Sequence, residues 1–239
     1  MKTFLIVDLS HMFYRMRHVV RGDASEKTGM ALHVLFSSLN KAWRIHKADH
    51  VVFALDGHSW RKSLYPPYKA NRSDAKLALS VAEQEENKLF FEAYDIFKEF
   101  IKNRTNCTVL ENSMLEADDT IAWFIKYHID DKHIIVSSDA DFEQLLANNV
   151  TLYNGVTDTT TTINGVFDYK GKPITDKKTG LPKNAPDPEW SVFEKCVRGC
   201  STDNIFSACP GIREKDRIKK WVCAKHLQID IKRDLVGIH

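Results

Sequence analysis

Short apolar runs and longer amphipathic stretches alternate along the first 150 residues of the chain. Continuous apolar runs predict β-strands at 4–7, 51–55, 108–110, 134–137 and 150–153. Helical spacing of apolar residues is clearest over 32–46, and further helices are predicted at 116–127 and 142–147. This alternation of strands and helices predicts an α/β fold with a doubly wound, mainly parallel central sheet.

The stretch 75–102 has the composition of a helix but changes character along its length. Its later part carries an apolar stripe that we expect to be buried, which consists of Leu89, Phe90, Ala93, Ile96, Phe97 and Phe100. Its earlier part, 75–88, is polar and charged. We therefore expect the earlier part to project from the body of the protein.

The composition changes again in the second half of the chain. A threonine-rich run at 157–162 predicts extended structure, and glycine, proline and lysine dominate 164–188. These residues favour turns over packed core, so we expect a basic surface hairpin or loop. Beyond it, the pattern predicts a short helix at 193–197, followed by a turn, a short helix and a turn at 199–211.

Charge is distributed unevenly although the net charge of the chain is only +2. Residues 1–160 carry 19 Lys and Arg against 22 Asp and Glu, whereas residues 161–239 carry 15 against 10. An acidic half joined to a basic half suits a metal-dependent enzyme that acts on a polyanion. Two ordinary solvated surfaces would give the same balance.

Targeting signals and cysteine usage indicate a cytoplasmic protein. We expect no signal peptide, because the first apolar run is short and ends in Asp8, and no stretch reaches the roughly 18 apolar residues of a membrane span. The five cysteines are odd in number and irregularly spaced, which favours reduced thiols. Cys196, Cys200 and Cys209 lack the paired spacing and the nearby histidines of a zinc site.

Acidic residues follow the predicted strands or open a predicted helix. They are Asp8, Asp56, Glu116, Asp118, Asp119, Asp139, Asp141 and Asp203. The carboxyl ends of parallel strands meet at one edge of an open α/β sheet, where such folds place their sites. Carboxylates gathered there would repel one another unless divalent cations neutralised them, so the pattern predicts a metal site. Any one of them alone would more simply be a helix cap or a turn residue.

Five motifs carry a resemblance to a known family. They are Asp8 with Ser10 and Arg15, Asp56 with Arg61 and the YKANR segment 68–72, the EADD segment 116–119, the SSDAD segment 137–141, and Asp203-Asn204-Ile205 with Pro210-Gly211-Ile212. In this order and spacing the chain resembles the 5′-nuclease family, which includes flap endonucleases and the 5′–3′ exonucleases of bacteria and phages. The resemblance covers roughly residues 1–215, and the combination of motifs is specific.

The resemblance implies a site that holds two Mg²⁺ ions, for which Mn²⁺ can substitute. The implied ligands of the first ion are Asp8, Asp56, Glu116 and Asp118, and those of the second are Asp139, Asp141 and Asp203, with Asp119 supporting either. Two ions about 4 Å apart would activate a water, stabilise the added negative charge and assist the leaving oxygen of a phosphodiester.

The YKANR segment supplies the implied catalytic cations. Lys69 would stabilise charge at the scissile phosphodiester, and Arg72 would clamp a phosphate oxygen. Tyr68 and Arg61 would contact the DNA, Tyr68 by touching or stacking on the nucleotide beside the cut. Without the family context, a solvated start of a basic helix would explain this segment.

The resemblance also implies two structural modules. One is a helical arch around 68–100, through or under which a single-stranded 5′ end passes. The other is a helix-three-turn-helix that binds duplex phosphates, with candidate contacts at Arg198, Gly211, Arg213, Lys215 and Lys219. The implied division is a PIN-like or resolvase-like catalytic domain at 1–160, the basic hairpin or loop at 161–190, and a shortened helix-three-turn-helix region at 191–239.

The chain departs from the family pattern near these last motifs. The usual GDxxDN reads GCSTDN here, so Cys200 replaces a carboxylate, and a thiol is a poor Mg²⁺ ligand. The usual GxGxK reads GIREK, which loses a glycine where backbone would approach phosphate. Family members generally continue through further helices, so we expect a short or truncated member.

The leading hypothesis is a Mg²⁺-dependent 5′ nuclease that acts on 5′ ends or flaps of DNA in replication and repair. Primer removal would add RNA–DNA hybrids as substrates, and single-strand-binding or replication proteins are candidate partners. We expect a monomer with no membrane association. A PIN-domain ribonuclease shares the sheet and carboxylates, but such domains are shorter and lack the YKANR segment. A non-enzymatic binder of branched DNA, with an impaired second metal site, is the other alternative, and Cys200 supports it.

Overall fold

The computed structural model describes residues 1–17, 23–213, 215–218 and 221. Within them, seven strands form one sheet in the order β3-β2-β1-β4-β5-β6-β7. The strands are β1 (Thr3–Asp8), β2 (His50–Ala54), β3 (Thr108–Leu110), β4 (Lys132–Val136), β5 (Val150–Asn154), β6 (Thr159–Thr162) and β7 (Gly165–Asp168). The first five run parallel, and β6 and β7 extend the sheet as an antiparallel hairpin. The predicted mainly parallel α/β sheet is confirmed.

Helices cover both faces of this sheet. They are α1 (Leu9–Arg17), α2 (Ala24–His46), α3 (Arg61–Leu64), α4 (Ala70–Leu77), α5 (Val81–Arg104), α6 (Ala117–Tyr127) and α7 (Pro188–Arg198). Alternate residues of β1 point to opposite faces, as the pleat requires. Leu5 and Val7 pack with α1, α2 and α5, whereas Phe4 and Ile6 pack with α6 and with the 3-10 helix Ala140–Leu145.

The helix predicted at 142–147 is a 3-10 helix that begins two residues earlier. Asp139 caps it, because its side chain accepts a hydrogen bond from the backbone N–H of Asp141. The long helix predicted over 75–102 is also divided, into α4 and α5. Ser80 and Glu83 form a capping box that starts α5 anew, with Glu83 accepting from the backbone N–H of Ser80 at 2.8 Å. Residues 78–80 therefore interrupt the predicted arch.

The buried stripe of α5 differs from the one predicted. Phe90, Phe97 and Ile101 are buried, whereas Ile96 is 71% exposed and Phe100 is 44% exposed. The buried positions follow helical spacing on the side that faces α2 and β2. The predicted stripe was wrong at its outer members because two neighbouring apolar rows run along this helix.

No helix among the described residues combines the length and the apolar character that crossing a membrane requires.

His46 is a half-buried titratable group at the end of α2. Its ring lies edge-on to Tyr153 with the centroids 4.9 Å apart, and its Nε2 has no hydrogen-bond partner among the described residues. Burial, and to a lesser extent the charge of Lys132, lower the pKa of His46 to about 4. In the unfolded chain the pKa of a histidine is near 6.5, so folding favours the neutral ring.

Acid should therefore weaken the fold through His46. Between about pH 6.5 and pH 4 the unfolded chain binds a proton that the folded ring excludes, so this stability is present above pH 6.5 and is lost as the pH falls. We expect His46→Gln to reduce the loss of unfolding free energy between pH 7.5 and pH 5 by about 1–2 kcal/mol. Urea unfolding at both pH values measures this. The exposed His33 on the same helix is the control, and a His33→Gln protein that changed equally would contradict the assignment.

Candidate active site

Three parallel strands deliver acidic residues to one edge of the sheet, which we call the carboxylate edge. Asp8 is the last residue of β1 and lies in register with Ala54 of β2, so Asp56 continues just beyond that strand. On the other side Val7 pairs with Val136, and the chain after β4 runs on to Asp139. This edge is where a parallel sheet offers its strand ends to a ligand.

Two serine-mediated links fix these side chains. The Ser137 hydroxyl donates to Asp8 Oδ2 at 3.1 Å and accepts from the backbone N–H of Asp139 at 3.1 Å. Asp139 Oδ1 in turn accepts from the backbone N–H of Asp141 at 2.9 Å. The SSDAD segment therefore holds its two aspartates in a fixed relation to Asp8.

Electrostatic crowding is strongest at Asp8. The residue is only 6% exposed, and burial followed by the charge of Asp56 raises its pKa to about 7, with Asp139 adding to the effect. At Asp118, burial of the carboxylate and the charge of Asp119 raise the pKa to about 6, although the residue as a whole keeps contact with solvent. These carboxylates repel one another, and a cation placed among them would relieve that repulsion.

The EADD segment lies at the N-terminus of α6. Asp56 Oδ1 accepts from the backbone N–H of Ala117 at 2.8 Å, which joins the end of β2 to this helix. Asp119 Oδ2 accepts from the backbone N–H of Glu116 at 3.1 Å. Unpaired N–H groups and the helix dipole favour negative charge at this position. The segment therefore serves as a helix cap and as part of the acidic cluster.

Glu116 is held by the YKANR segment. Its Oε1 accepts from Lys69 Nζ at 2.6 Å and its Oε2 from the Tyr68 hydroxyl at 2.8 Å. Burial alone would raise the pKa of Glu116, but the hydrogen bonds from Lys69 and Tyr68 outweigh it and lower that pKa. Burial likewise opposes the charge on Lys69, and the bond to Glu116 raises its pKa nonetheless. Both groups are therefore charged at neutral pH.

Lys69 adopts an unusual backbone conformation. Its φ is 55°, in the left-handed region, which costs a residue with a side chain roughly 1–2 kcal/mol. Its backbone N–H donates to the carbonyl oxygen of Asp203 at 2.9 Å, and Arg72 Nη2 lies 2.6 Å from Asp203 Oδ1. Contacts with this distant segment therefore hold the conformation that aims Lys69 at Glu116.

Arg61 and Tyr68, both predicted to contact DNA, bind carboxylates of the site in this structure. Arg61 forms a two-pronged ion pair with Asp119 at 2.8 and 2.7 Å, and also reaches Glu116 at 3.2 Å. Tyr68 is 6% exposed, so its ring offers no open face on which a nucleotide could stack. In this structure both side chains orient carboxylates.

Two further side chains contact a predicted ligand or its neighbour in the chain, and no local sequence signal pointed to either. Lys195, in the last turn of α7, forms an ion pair with Asp141. His11 Nε2 lies 2.7 Å from the hydroxyl of Ser138, directly before Asp139. Both are contacts between distant parts of the chain, so only the packing of α7 and α1 reveals them.

Cys200 lies at the base of the loop that carries Asp203. Its backbone pairs with Ile205, and its Sγ is 2.9 Å from the Thr202 hydroxyl. Gly199, just before it, has φ 75°, and a Cβ there would lie 2.5 Å from the carbonyl oxygen of Ile205, so glycine is required. The loop therefore keeps the backbone that a glycine permits, while position 200 offers sulfur where the family pattern has oxygen.

The predicted duplex contacts are exposed but not gathered at the acidic cluster. Arg198 is exposed in the last turn of α7, Gly211 lies in a turn with φ 75°, and Lys215 is exposed. Arg213 Nε is 2.8 Å from Asp216 Oδ2. Lys219 lies outside the described residues, as does most of the chain after residue 218, so the described part does not establish a helix-three-turn-helix.

The donor chemistry fits divalent cations. Every predicted ligand offers carboxylate oxygen, which Mg²⁺ and Mn²⁺ prefer. Across the described ranges no three His, Cys, Asp or Glu side chains converge tightly enough to form a ready-made metal site. Four of the eight carboxylates are instead paired with cations of the chain itself: Glu116, Asp119, Asp141 and Asp203. A divalent ion would compete with these cations for the carboxylate oxygens.

Comparison with known sequences identifies similar proteins. Residues 3–172 match the model of the family described as 5′-3′ exonuclease, N-terminal resolvase-like domain. Flap endonuclease Xni of Shewanella loihica is 30% identical over 158 residues, which cover 64% of this chain and 56% of that protein. DNA polymerase I of Rhizobium leguminosarum is 27% identical over 224 residues, covering 88% of this chain and 19% of that protein. The match thus spans little more than half the length of the Shewanella relative.

Solved structures share the fold. The bacteriophage T5 5′-exonuclease with bound zinc ions superposes with a TM-score of 0.70 at 22% identity, covering 94% of this chain and 75% of that chain. A T5 flap endonuclease in complex with DNA and metal ions superposes with a TM-score of 0.63 at 19% identity and the same coverage. At these identities the similarity establishes the fold alone.

The Tyr68 hydroxyl should contribute to stability, because its partner Glu116 is buried and charged. We expect Tyr68→Phe to lower the free energy of unfolding by about 1.5–3 kcal/mol, the usual range for a hydrogen bond to a charged group. Urea unfolding at pH 7 measures it. Tyr127 is 73% exposed and provides the matched control. Equal effects of Tyr68→Phe and Tyr127→Phe would contradict this role.

Proposed function

We propose that this chain hydrolyses phosphodiester bonds at 5′ ends or flaps of DNA. The premise is that the chain belongs to the family of 5′-3′ exonucleases with an N-terminal resolvase-like domain. One observation carries the proposal. Asp8 is buried at the carboxylate edge, and burial first and the charge of Asp56 second raise its pKa to about 7, so its negative charge is disfavoured where no cation is near. Such an unfavourable arrangement of carboxylates is typical of a site that binds a cation.

Eight side chains are proposed to hold two divalent ions, with Mg²⁺ as the natural ion and Mn²⁺ as a substitute. Asp8, Asp56 and Asp139 lie closest to the strand ends, and Glu116 and Asp118 approach from α6. When bound, the ions would supply an activated water and neutralise charge on the phosphate. The chain's own task is to orient these oxygens, which Ser137 and the α6 N-terminus perform.

Lys69 is proposed to stabilise negative charge on the phosphate. The raised pKa of Lys69 keeps its ammonium protonated at neutral pH, so it acts by charge and not as a proton donor. Arg72 is more exposed, and its planar fork has N–H donors beyond the one that meets Asp203. Lys69 directly precedes α4 and Arg72 lies in its first turn, so both would approach a phosphate from this helix.

The proposed substrate is DNA with a 5′ end or single-stranded flap, with α4 and α5 as the arch beside the scissile phosphate. The side chains that would meet the substrate are cations suited to phosphates, which carry no base sequence. We also propose RNA–DNA hybrids as substrates, in keeping with a role in replication or repair. The T5 relative in complex with DNA supports the choice of nucleic acid.

A binder of branched DNA without catalysis is the second candidate, and Cys200 favours it. Sulfur at this position weakens an oxygen site for a second ion. Binding of flap DNA without any cleavage in Mg²⁺ or Mn²⁺ would support this candidate over the nuclease.

Cleavage should depend on divalent cations and on the SSDAD carboxylates. A labelled 5′-flap substrate should be cut in Mg²⁺ or Mn²⁺ and left intact in excess chelator. We expect the double change Asp139→Asn and Asp141→Asn to reduce the rate at least about a thousandfold, since metal ions contribute several kcal/mol to such reactions. Asp95→Asn, at an exposed position on α5, is the control and should keep full activity. Persistence of cleavage in chelator, or in the double variant, would overturn the proposal.

Loss of the Lys69 charge should slow chemistry more than binding. Lys69→Met is expected to lower kcat by about 100- to 1,000-fold with a smaller change in KM, as for removal of one preorganised charge donor. Single-turnover cleavage of the same flap measures this. Lys88→Met removes an exposed lysine from α5 and should have little effect. A change confined to KM would show that Lys69 only binds substrate.

A further inference from the structure

The turn that follows β7 places two lysines, Lys170 and Lys172, at the same edge of the sheet as the acidic site. A row of register pairs crosses the sheet through Val7, Val136, Tyr153, Thr160 and Phe167. One residue further, Asp8 ends β1 and Asp168 ends β7 at the carboxylate edge. Four strand spacings separate them, which is about 19 Å at roughly 4.8 Å for each spacing.

We call residues 169–183 the lysine hairpin. It contains five lysines and one aspartate, a net charge of +4, while the whole chain nets only +2. Its lysines are all exposed: Lys170, Lys172, Lys177, Lys178 and Lys183. Within the described part of the chain, no ion pair engages Lys170 or Lys172. This is a concentrated positive surface on a protein that is otherwise slightly acidic.

The lysine hairpin has two turns at opposite ends. The first follows β7 at the carboxylate edge, where Asp168 Oδ1 accepts from the backbone N–H groups of Lys170 and Lys172 at 2.8 Å each. The chain then turns back along β7, as the pairing of Phe167 with Pro173 shows. Its second turn, fixed by Asp176, therefore lies toward the other edge of the sheet.

A pair of lysines therefore occurs at each end of the lysine hairpin. Lys170 and Lys172 stand at the carboxylate edge, whereas Lys177 and Lys178 stand in the second turn, where Asp176 Oδ1 accepts from the backbone N–H of Lys178 at 2.8 Å. The two pairs have equal charge and similar exposure, and they differ in their distance from the carboxylate edge.

We propose that Lys170 and Lys172 bind the phosphate backbone of duplex nucleic acid whose cleaved end lies at the acidic site. A separation of about 19 Å corresponds to about five or six base pairs at 3.4 Å each along the duplex axis. A duplex is stiff over this length, so a fixed pair of cations can meet its phosphates, whereas a flexible single strand would not be held at a set distance. This inference rests on the proposed function.

The geometry of the first turn suits such a contact. Asp168 and Gly171, with φ 77°, fix its backbone, so little conformational freedom is lost when the lysines meet phosphates. The contact carries no base sequence, as a nuclease that recognises shape requires. Residues 173–183 lie beyond the stretch that matches the family model, which ends at residue 172.

Duplex length and salt provide the test. We would measure binding of fluorescent 5′-flap substrates in Ca²⁺, with the duplex next to the flap closed by a loop after 4 or 12 base pairs. The wild-type protein should bind the longer duplex more tightly. The variant with Lys170→Gln and Lys172→Gln should lose that gain, on the order of 10- to 60-fold in affinity at 0.1 M salt. For this variant the plot of log K against log salt should be less steep by about 1.8, or 0.9 for each lost phosphate contact.

The matched variant with Lys177→Gln and Lys178→Gln removes the same charge from the second turn and should keep the gain and the slope. Equal loss in both variants, or no loss in the first, would overturn the inference while leaving cleavage and the proposed function intact. Dependence on flap length in place of duplex length would overturn it as well. If the wild-type protein neither binds nor cuts flap DNA, the proposed function fails and the inference fails with it.

Discussion

Repulsion among carboxylates at one edge of a parallel sheet is the constraint that organises this molecule. Strand ends bring Asp8, Asp56 and Asp139 together, and α6 adds its own acidic cap. Cations from distant segments neutralise part of this charge, as in the ion pairs of Arg61 with Asp119 and of Arg72 with Asp203. Such pairs add little stability in themselves when partly exposed, but they fix which carboxylates keep a partner and which stay available to a metal ion.

The internal cations also explain how α4, α7 and the loop around Asp203 are positioned. Each of these segments reaches the acidic cluster through at least one charged contact, and helix packing alone would leave their orientation less determined. Binding of divalent ions would compete with these contacts. The acidic cluster is therefore linked electrostatically to the surfaces on which a nucleic acid would lie.

The sequence predicted the sheet and the acidic edge well, because buried parallel strands appear as continuous apolar runs and carboxylates directly follow them. It failed where tertiary packing chooses between equal local patterns. On α5 two apolar rows compete, and contact with α2 buries Phe97 instead of Ile96. Sequence also cannot tell whether a basic residue neutralises a neighbouring carboxylate or faces a substrate. The ion pairs of Arg61 with Asp119 and of Lys195 with Asp141 were therefore not predicted.

The hydrogen bond from Lys69 to Asp203 joins positions 134 residues apart. The region that matches the family model ends at residue 172, so it does not contain everything that holds the conformation of Lys69. A fragment that ended there would lack the Asp203 carbonyl that accepts from the backbone N–H of Lys69. Recombination between relatives at the boundary of the matched region would have to carry both partners of this bond together.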